Sequence, residues 1–268
     1  MEKKFKLGVV GAGYMASSII NGAIDDKFLS VDDIFINDLN ETTLKTYYDK
    51  GFCVTNDTQL IFDNCKFILL SVKPQNFTQV AEKVRVNNDN IIISIMAGVT
   101  KDKIRQLLGA EQVVRCMPNA PCAVKNGAIG LDSSLLIDKN DVSFVKSLFS
   151  AVASVVELDE SLLNVVTGIS GSAPAYFYLF AKGIIEAGVK NGLSYEDAKL
   201  LVVNTMIGSG KMLFENSKQT IDSLIDSVCS KGGTTLEAIK VYNDMNLSNI
   251  SIKAVDACIK RAEELEKL

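Results

Sequence analysis

The chain has 268 residues, 47% hydrophobic and 22% charged, with a formal net charge of −4 and neither histidine nor tryptophan. This is the balance of a globular chain with room for one large domain or two ordinary ones; it excludes a disordered chain and gives no basic footprint for nucleic acid or a membrane surface. The missing histidine excludes histidine-dependent hydrolysis, dehydrogenases with a histidine acid–base, and histidine-ligated metal sites.

In chain order, the first strong signal is Lys6 to Ile20, KLGVVGAGYMASSII. The apolar run Leu7 to Val10 predicts a buried parallel strand. Gly11, Ala12, Gly13, Tyr14, Met15 and Ala16 then spell G-x-G-x-x-A, and helical spacing continues to Ile24. Gly11 permits the tight turn, Gly13 lets backbone approach a pyrophosphate, and small Ala16 lets the helix lie near the strand. Free N–H groups and the helix dipole face the phosphates. A second apolar run, Ile34 to Ile36, leads to Asp38, about 20 residues on, where a ribose-binding carboxylate is expected.

Next come a helix over 41–50 closed by Gly51, a short strand at 52–54 and a stronger one at 66–72, stopped by Lys73-Pro74. A helix at 77–84, a strand at 90–95, a helix at 101–108 and a strand at 112–116 follow, the last stopped by Pro118 and Pro121. Edge strands are expected at 128–131 and 154–158, around a helix near 141–149. The alternation predicts an α/β fold: an N-terminal Rossmann-type parallel sheet covered on both faces.

From Asp159 onward only helical spacing remains, at about 160–168, 174–190, 196–215, 219–226, 233–243 and 248 to the end. The expected division is therefore 1–158 for dinucleotide binding and 159–268 for a C-terminal all-helical domain. The 174–190 segment is apolar nearly all round, which suits burial in a core or a subunit interface, and so predicts dimerisation through this half. The six cysteines, Cys53, Cys65, Cys116, Cys122, Cys229 and Cys258, form no C-x-x-C pair and lie mostly in apolar runs, which predicts free thiols in a reducing compartment and no metal site. The start lacks a signal-peptide core and no uncharged run reaches spanning length, so a cytoplasmic location is expected.

Ligands of an open parallel sheet bind beyond the carboxyl ends of its strands. That rim should hold Ser71, Val72, Lys73 and Pro74, then Ile95, Met96 and Ala97, then Met117 to Pro121. In the helical half, Thr167 to Pro174 and Ser230 to Thr235 each lead into a helix, where bare N–H groups, hydroxyls and the dipole suit a carboxylate.

GAGYMA, SVKP, RCMPNAP, TGISGSAPAY and SKGGTT, in this order and spacing, resemble pyrroline-5-carboxylate reductase over nearly the whole chain. The resemblance implies a Rossmann domain followed by a helical dimerisation domain, and NADPH- or NADH-dependent reduction of 1-pyrroline-5-carboxylate to proline, the last step of proline biosynthesis. It implies a homodimer, with dimers stacking into decamers in some members, and an imino-acid substrate. By motif, cofactor contacts fall on Gly11 to Ala16, Asp38, Thr58, Ser71 to Pro74, Ile95 to Ala97 and Asn119. Substrate contacts fall on Ser230, Gly232, Gly233, Thr234 and Thr235, with the Thr235 hydroxyl by the ring nitrogen as the catalytic contact and Glu160 as an acidic residue near the substrate. Three positions depart from the pattern: Lys231 stands where Pro is common, Asn164 where Asp is common, and Thr58 where Asn is common.

Asp38 accepts ribose hydroxyls but repels a 2′-phosphate, and no Arg follows nearby, so NADH is expected to be preferred over NADPH. Two alternatives share these residues: a related reductase of another cyclic imine or amino acid, and a non-catalytic nucleotide-binding paralogue. A hydroxy-acid dehydrogenase fits less well, because TGISGSAP and SKGGTT do not resemble its catalytic lysine helix.

Overall fold

The computed structural model describes residues 4–267. The chain begins β1 (Phe5–Val10), α1 (Tyr14–Asp25), β2 (Ile34–Asn37), α2 (Glu41–Tyr48), β3 (Cys53–Thr55), α3 (Thr58–Asn64), β4 (Cys65–Leu70), α4 (Phe77–Ala81), β5 (Ile91–Ser94), α5 (Lys101–Leu108) and β6 (Gln112–Met117). It continues with β7 (Gly127–Asp132), α6 (Lys139–Ser150), β8 (Ala153–Glu157), α7 (Leu163–Val166), α8 (Ala173–Lys190), α9 (Tyr195–Glu215), α10 (Ile221–Ser227), α11 (Thr234–Asp244) and α12 (Leu247–Glu266). The helix expected from 248 to the end thus stops at Glu266; residues 1–3 and 268 lie outside the described residues.

The eight strands form one sheet in the order β3-β2-β1-β4-β5-β6-β7-β8. Two apolar layers cover it, and the two-residue period of a strand sorts side chains between them. Leu7, Val9, Ile34, Ile36, Leu69, Ile93 and Val114 face one core with α1 and α6. Val10, Phe35, Ile68, Leu70, Ile92 and Val113 face the other, with Ile61, Phe62, Phe77 and Ile104. Every strand pair is parallel except β6 with β7. The antiparallel turn departs from an all-parallel sheet for a reason of length. Only residues 118–126 join β6 to β7, and a parallel crossover needs about a dozen residues or more. Pro121 and the 3₁₀ turn Ala120–Val124, ended by Lys125 at φ +56°, reverse the chain within that span.

Two stretches depart from the sequence expectation. Helix α3 occupies the stretch between two expected strands, started by Asp57, whose carboxylate accepts the Gln59 N–H at 2.9 Å. The expected helix at 160–168 is instead a 3₁₀ turn (Glu160–Leu162), then α7, then a π turn (Thr167–Gly171). All six cysteines are free; Cys65, Cys116 and Cys122 are buried, while Cys53 is exposed.

The chain forms two compact units, residues 1–174 with 258–268, and residues 175–257. In the second, α8 and α9 border an open apolar groove of about 380 Å³ lined by Ile184, Leu193, Ala198 and Leu201. The apolar helix α8 leaves Phe177 60%, Tyr178 68% and Leu179 71% exposed.

Candidate active site

Register sets the rim of the sheet. Val10 pairs with Asn37 on one side and Leu70 on the other, Leu70 pairs with Ser94, and Ser94 with Arg115. The loops that leave these levelled strand ends carry Gly11, Asp38, Ser71 and Ile95, so four separate sequence expectations converge on one edge. The order reverses at β1, flanked by β2 and β4, which is the switch point where ligands bind in such sheets.

At that point the glycine turn has a definite geometry. Gly11 has φ +87°, and a Cβ there would lie 2.9 Å from the Ser71 carbonyl oxygen. Its N–H donates to Asn37 O at 2.9 Å, and the Ser71 N–H donates to Val10 O at 2.9 Å. A Cβ on Gly13, in contrast, would meet no protein atom within 4 Å. Packing within the chain therefore does not demand glycine at 13, and the space beside it is open. Helix α1, which follows, has no side-chain cap, so its first-turn N–H groups stay available to phosphate oxygens. Ala16 is fully buried, Met15 half-buried, and Tyr14 exposed. These features fit a dinucleotide.

Asp38 closes the turn from the other side. Its Oδ2 accepts the Ala12 N–H at 2.8 Å and its Oδ1 the Asn40 N–H at 2.8 Å. Asn40, not Asp38, caps α2, accepting from the Thr42 and Thr43 N–H groups. Thr58, at the start of α3, donates its hydroxyl to Asn37 Oδ1 at 3.1 Å. Ser71 and Val72 are half-buried, Lys73 exposed, and Pro74 opens a 3₁₀ turn. Ile95 is half-buried, Met96 buried and Ala97 exposed. Asn119 is buried: its Nδ2 donates to Ser170 Oγ at 3.2 Å, and its Oδ1 accepts the Ala128 N–H at 3.0 Å, tying the RCMPNAP loop to the π turn.

Glu160 lies in a charge network that the sequence reading missed. Its Oε1 accepts the Lys101 N–H at 2.7 Å and Arg115 Nη1 at 3.1 Å. Lys101 Nζ sits 2.8 Å from Asp132 Oδ2 and donates to Ser134 Oγ at 2.8 Å. Asp132 Oδ2 also accepts the Glu160 N–H at 2.6 Å. Arg115, 1% exposed, reaches Glu266 with Nη2 at 2.7 Å. A visible signal existed: Arg115 interrupts the apolar strand VVRCM, and a buried cation requires partners. Burial alone would raise the Asp132 carboxyl, but the Lys101 ammonium and the Ser134 hydroxyl and N–H hold it below its ordinary value. Burial, and then the Asp132 charge, push the Cys116 thiol well above its ordinary value.

The SKGGTT loop lies in the second unit. Ser230 and Lys231 are exposed, Gly232 has φ +72°, and Gly233 returns its N–H to Ser230 O at 2.9 Å. Gly233 precedes α11 with no side-chain cap bond, leaving the helix start with bare donors. Thr234 is exposed and Thr235 half-buried in that first turn. The strand-end loops and the SKGGTT loop are thus carried by different units.

Strand order, levelled rim and glycine turn define a Rossmann-type fold of the dinucleotide-binding class. Comparison with known proteins narrows the class. A family model described as pyrroline-5-carboxylate reductase dimerisation matches residues 160–265, and one described as NADP oxidoreductase coenzyme F420-dependent matches residues 6–98. The pyrroline-5-carboxylate reductase of Vibrio alginolyticus is 33% identical over 272 residues, covering 100% of both chains. A solved pyrroline-5-carboxylate reductase from Coxiella burnetii superposes with a TM-score of 0.90 at 32% identity, over 99% of this chain and 100% of that one. The Plasmodium falciparum pyrroline carboxylate reductase with NADP bound gives 0.87 at 28% identity over the same shares. The chain belongs to the pyrroline-5-carboxylate reductase family.

Proposed function

We propose that this chain reduces 1-pyrroline-5-carboxylate to L-proline with NADH or NADPH, the last step of proline biosynthesis. The observation that carries the reading is the bare start of α11 behind Ser230 to Gly233, held in a chain that also has the open Gly13 turn. A cyclic imino acid carries a carboxylate, which suits the first, and an imine that a reduced nicotinamide dinucleotide, which suits the second, can reduce.

When bound, a reduced nicotinamide supplies the hydride to the imine carbon. The C=N π electrons then remain on nitrogen, and the proton already on the iminium stays as the amine N–H. The chain therefore has to align and neutralise more than to transfer protons, which agrees with the absence of histidine. The α11 N–H groups and the Ser230 hydroxyl hold the carboxylate, with Gly232 to Thr234 shaping the loop. The Thr235 hydroxyl hydrogen-bonds the ring nitrogen, as donor or acceptor. Gly11 to Ala16 hold the pyrophosphate; Asp38, Thr58, Ser71 to Pro74, Ile95 to Ala97 and Asn119 line the rest of the dinucleotide. Thr58 and Asn119 do so while keeping the protein hydrogen bonds that shape their loops. Glu160 acts near the substrate through the residues it positions. The functional division falls near 158–160, at the start of the dimerisation match, although compactness divides the chain at 174–175.

NADH is the preferred cofactor on this reading, because the Asp38 carboxylate would accept ribose hydroxyls and repel a 2′-phosphate, and no Arg follows it up to Lys50. The rival preference for NADPH draws on the NADP-bound relative. The protein acts as a homodimer, with decamers of stacked dimers as the larger assembly, and works in the cytoplasm. No helix among the described residues is long and apolar enough to cross a membrane.

The test is oxidation of NADH, and separately of NADPH, by purified protein with 1-pyrroline-5-carboxylate, with proline quantified and Thr235→Ala alongside. Turnover to proline that falls about a hundredfold in the variant is expected. Binding of the dinucleotide without turnover of this imine sinks the substrate assignment and turns attention to another imine selected by Lys231. A higher kcat/KM with NADPH sinks the cofactor preference alone.

A further inference from the structure

We propose that Glu266, the last residue of α12, is a positioning residue for the cofactor loop between β5 and α5, acting through Arg115 and Glu160. The inference rests on the reading of Ile95 to Ala97 as cofactor contacts.

That loop is fixed to the sheet where it begins, by the Ile95 N–H on Leu70 O at 3.1 Å. Beyond Ala97 it depends on α12. Gly98 has φ +69°, and a Cβ there would lie 3.1 Å from Leu265 Cβ, so its backbone rests on Leu265 with no space for a side chain. At the far end of the loop, the Lys101 N–H is held by Glu160 Oε1. Arg115 Nη1 orients that same oxygen, and Arg115 in turn spans to Glu266. Adjacent residues of α12 thus support the loop at two separate points, one by packing and one by charge.

The chemistry of the network argues for a purpose beyond stability. Two cations, Lys101 and Arg115, meet three anions, Asp132, Glu160 and Glu266, at the sheet rim. Apolar residues of similar volume commonly stabilise such a place as well or better. Among the described residues neither Arg115 Nε nor Nη2 makes a hydrogen bond, and Nη2 meets Glu266 as an ion pair by distance, so the guanidinium depends on its two carboxylates. Neutralising Glu266 leaves Glu160 as its one counter-ion and draws Glu160 away from the Lys101 N–H.

The experiment compares wild type, Glu266→Gln and Glu266→Asp by three readouts: the apo melting temperature, the Kd for NADH and NADPH from nicotinamide fluorescence, and steady-state constants with 1-pyrroline-5-carboxylate. Glu266→Gln is expected to raise the dinucleotide Kd and cofactor KM about tenfold, with the imine KM unchanged and partial recovery in Glu266→Asp. A lowered melting temperature with unchanged Kd and cofactor KM overturns the proposal. If Glu266→Gln does not fold, Leu265→Ala, which leaves every charge in place, must raise the Kd in the same way; an unchanged value overturns it. Dinucleotide binding by wild type without imine turnover removes the substrate reading and leaves this one decided by Kd. Failure of wild type to bind either dinucleotide removes the cofactor reading and the positioning role with it.

Discussion

A methyl group at position 11 would press on the Ser71 carbonyl oxygen in a left-handed backbone, whereas one at position 13 would point away from all protein atoms. The two glycines of one motif therefore separate stability from binding. Gly11→Ala should cost about 2 kcal/mol or more in stability, from strain and clash together. Gly13→Ala should leave stability within about 0.5 kcal/mol of wild type, because its backbone suits alanine. It should nonetheless weaken dinucleotide binding about tenfold or more by blocking the pyrophosphate. Thermal melts beside a dinucleotide titration decide this, and normal binding by Gly13→Ala refutes the role of the turn. The cysteines divide by burial. Exposed Cys53 should label first with a thiol reagent in the native protein, while Cys116, its thiolate disfavoured by burial and by Asp132, should label only on unfolding.

Asp132 ends β7, Lys101 begins α5 and Glu160 begins the 3₁₀ turn, so this part of the charge network joins three elements through their termini. Asp132→Asn removes the carboxylate from a buried ammonium and should cost about 3–5 kcal/mol at pH 7. The pH dependence follows from the direction of the shift. The folded Asp132 carboxyl titrates below its unfolded value near 4, so its stabilisation is complete above about pH 4 and is lost as pH falls through the folded value. Denaturant titrations of wild type and Asp132→Asn should show a gap at pH 7 that narrows toward pH 3. A gap that does not change with pH would assign the loss to packing instead.

Across the whole chain, the exposed apolar face of α8 and α9 is the feature a lone subunit cannot satisfy. Phe177, Tyr178 and Leu179 are joined by Leu200 and Leu201, 63% and 58% exposed, in the region of the dimerisation match. Exposed large apolar side chains concentrated in one region suit an association face. Leu179→Glu should shift the protein to smaller species in light scattering after gel filtration, with the nucleotide-binding affinity of the first unit retained. An unchanged mass would place the interface elsewhere.

Local chemistry made much of this legible. Apolar β-branched runs announced strands β1, β2, β4, β5 and β6, and the glycine turn announced the cofactor half. Helix α5 occupies the expected residues 101–108, with Thr100 accepting the Lys103 N–H at 3.2 Å. Each of these depends on residues within a few positions of one another. Whatever required partners from afar was decided by the tertiary structure. Glu160 meets the Lys101 N–H across 59 residues, and Asp38 meets the Ala12 N–H across 26. The reversal of β7 came from a link too short for a crossover, and the convergence of Gly11, Asp38, Ser71 and Ile95 came from sheet register. Periodicity says which face a side chain takes; only the packed register says which distant group it finds there.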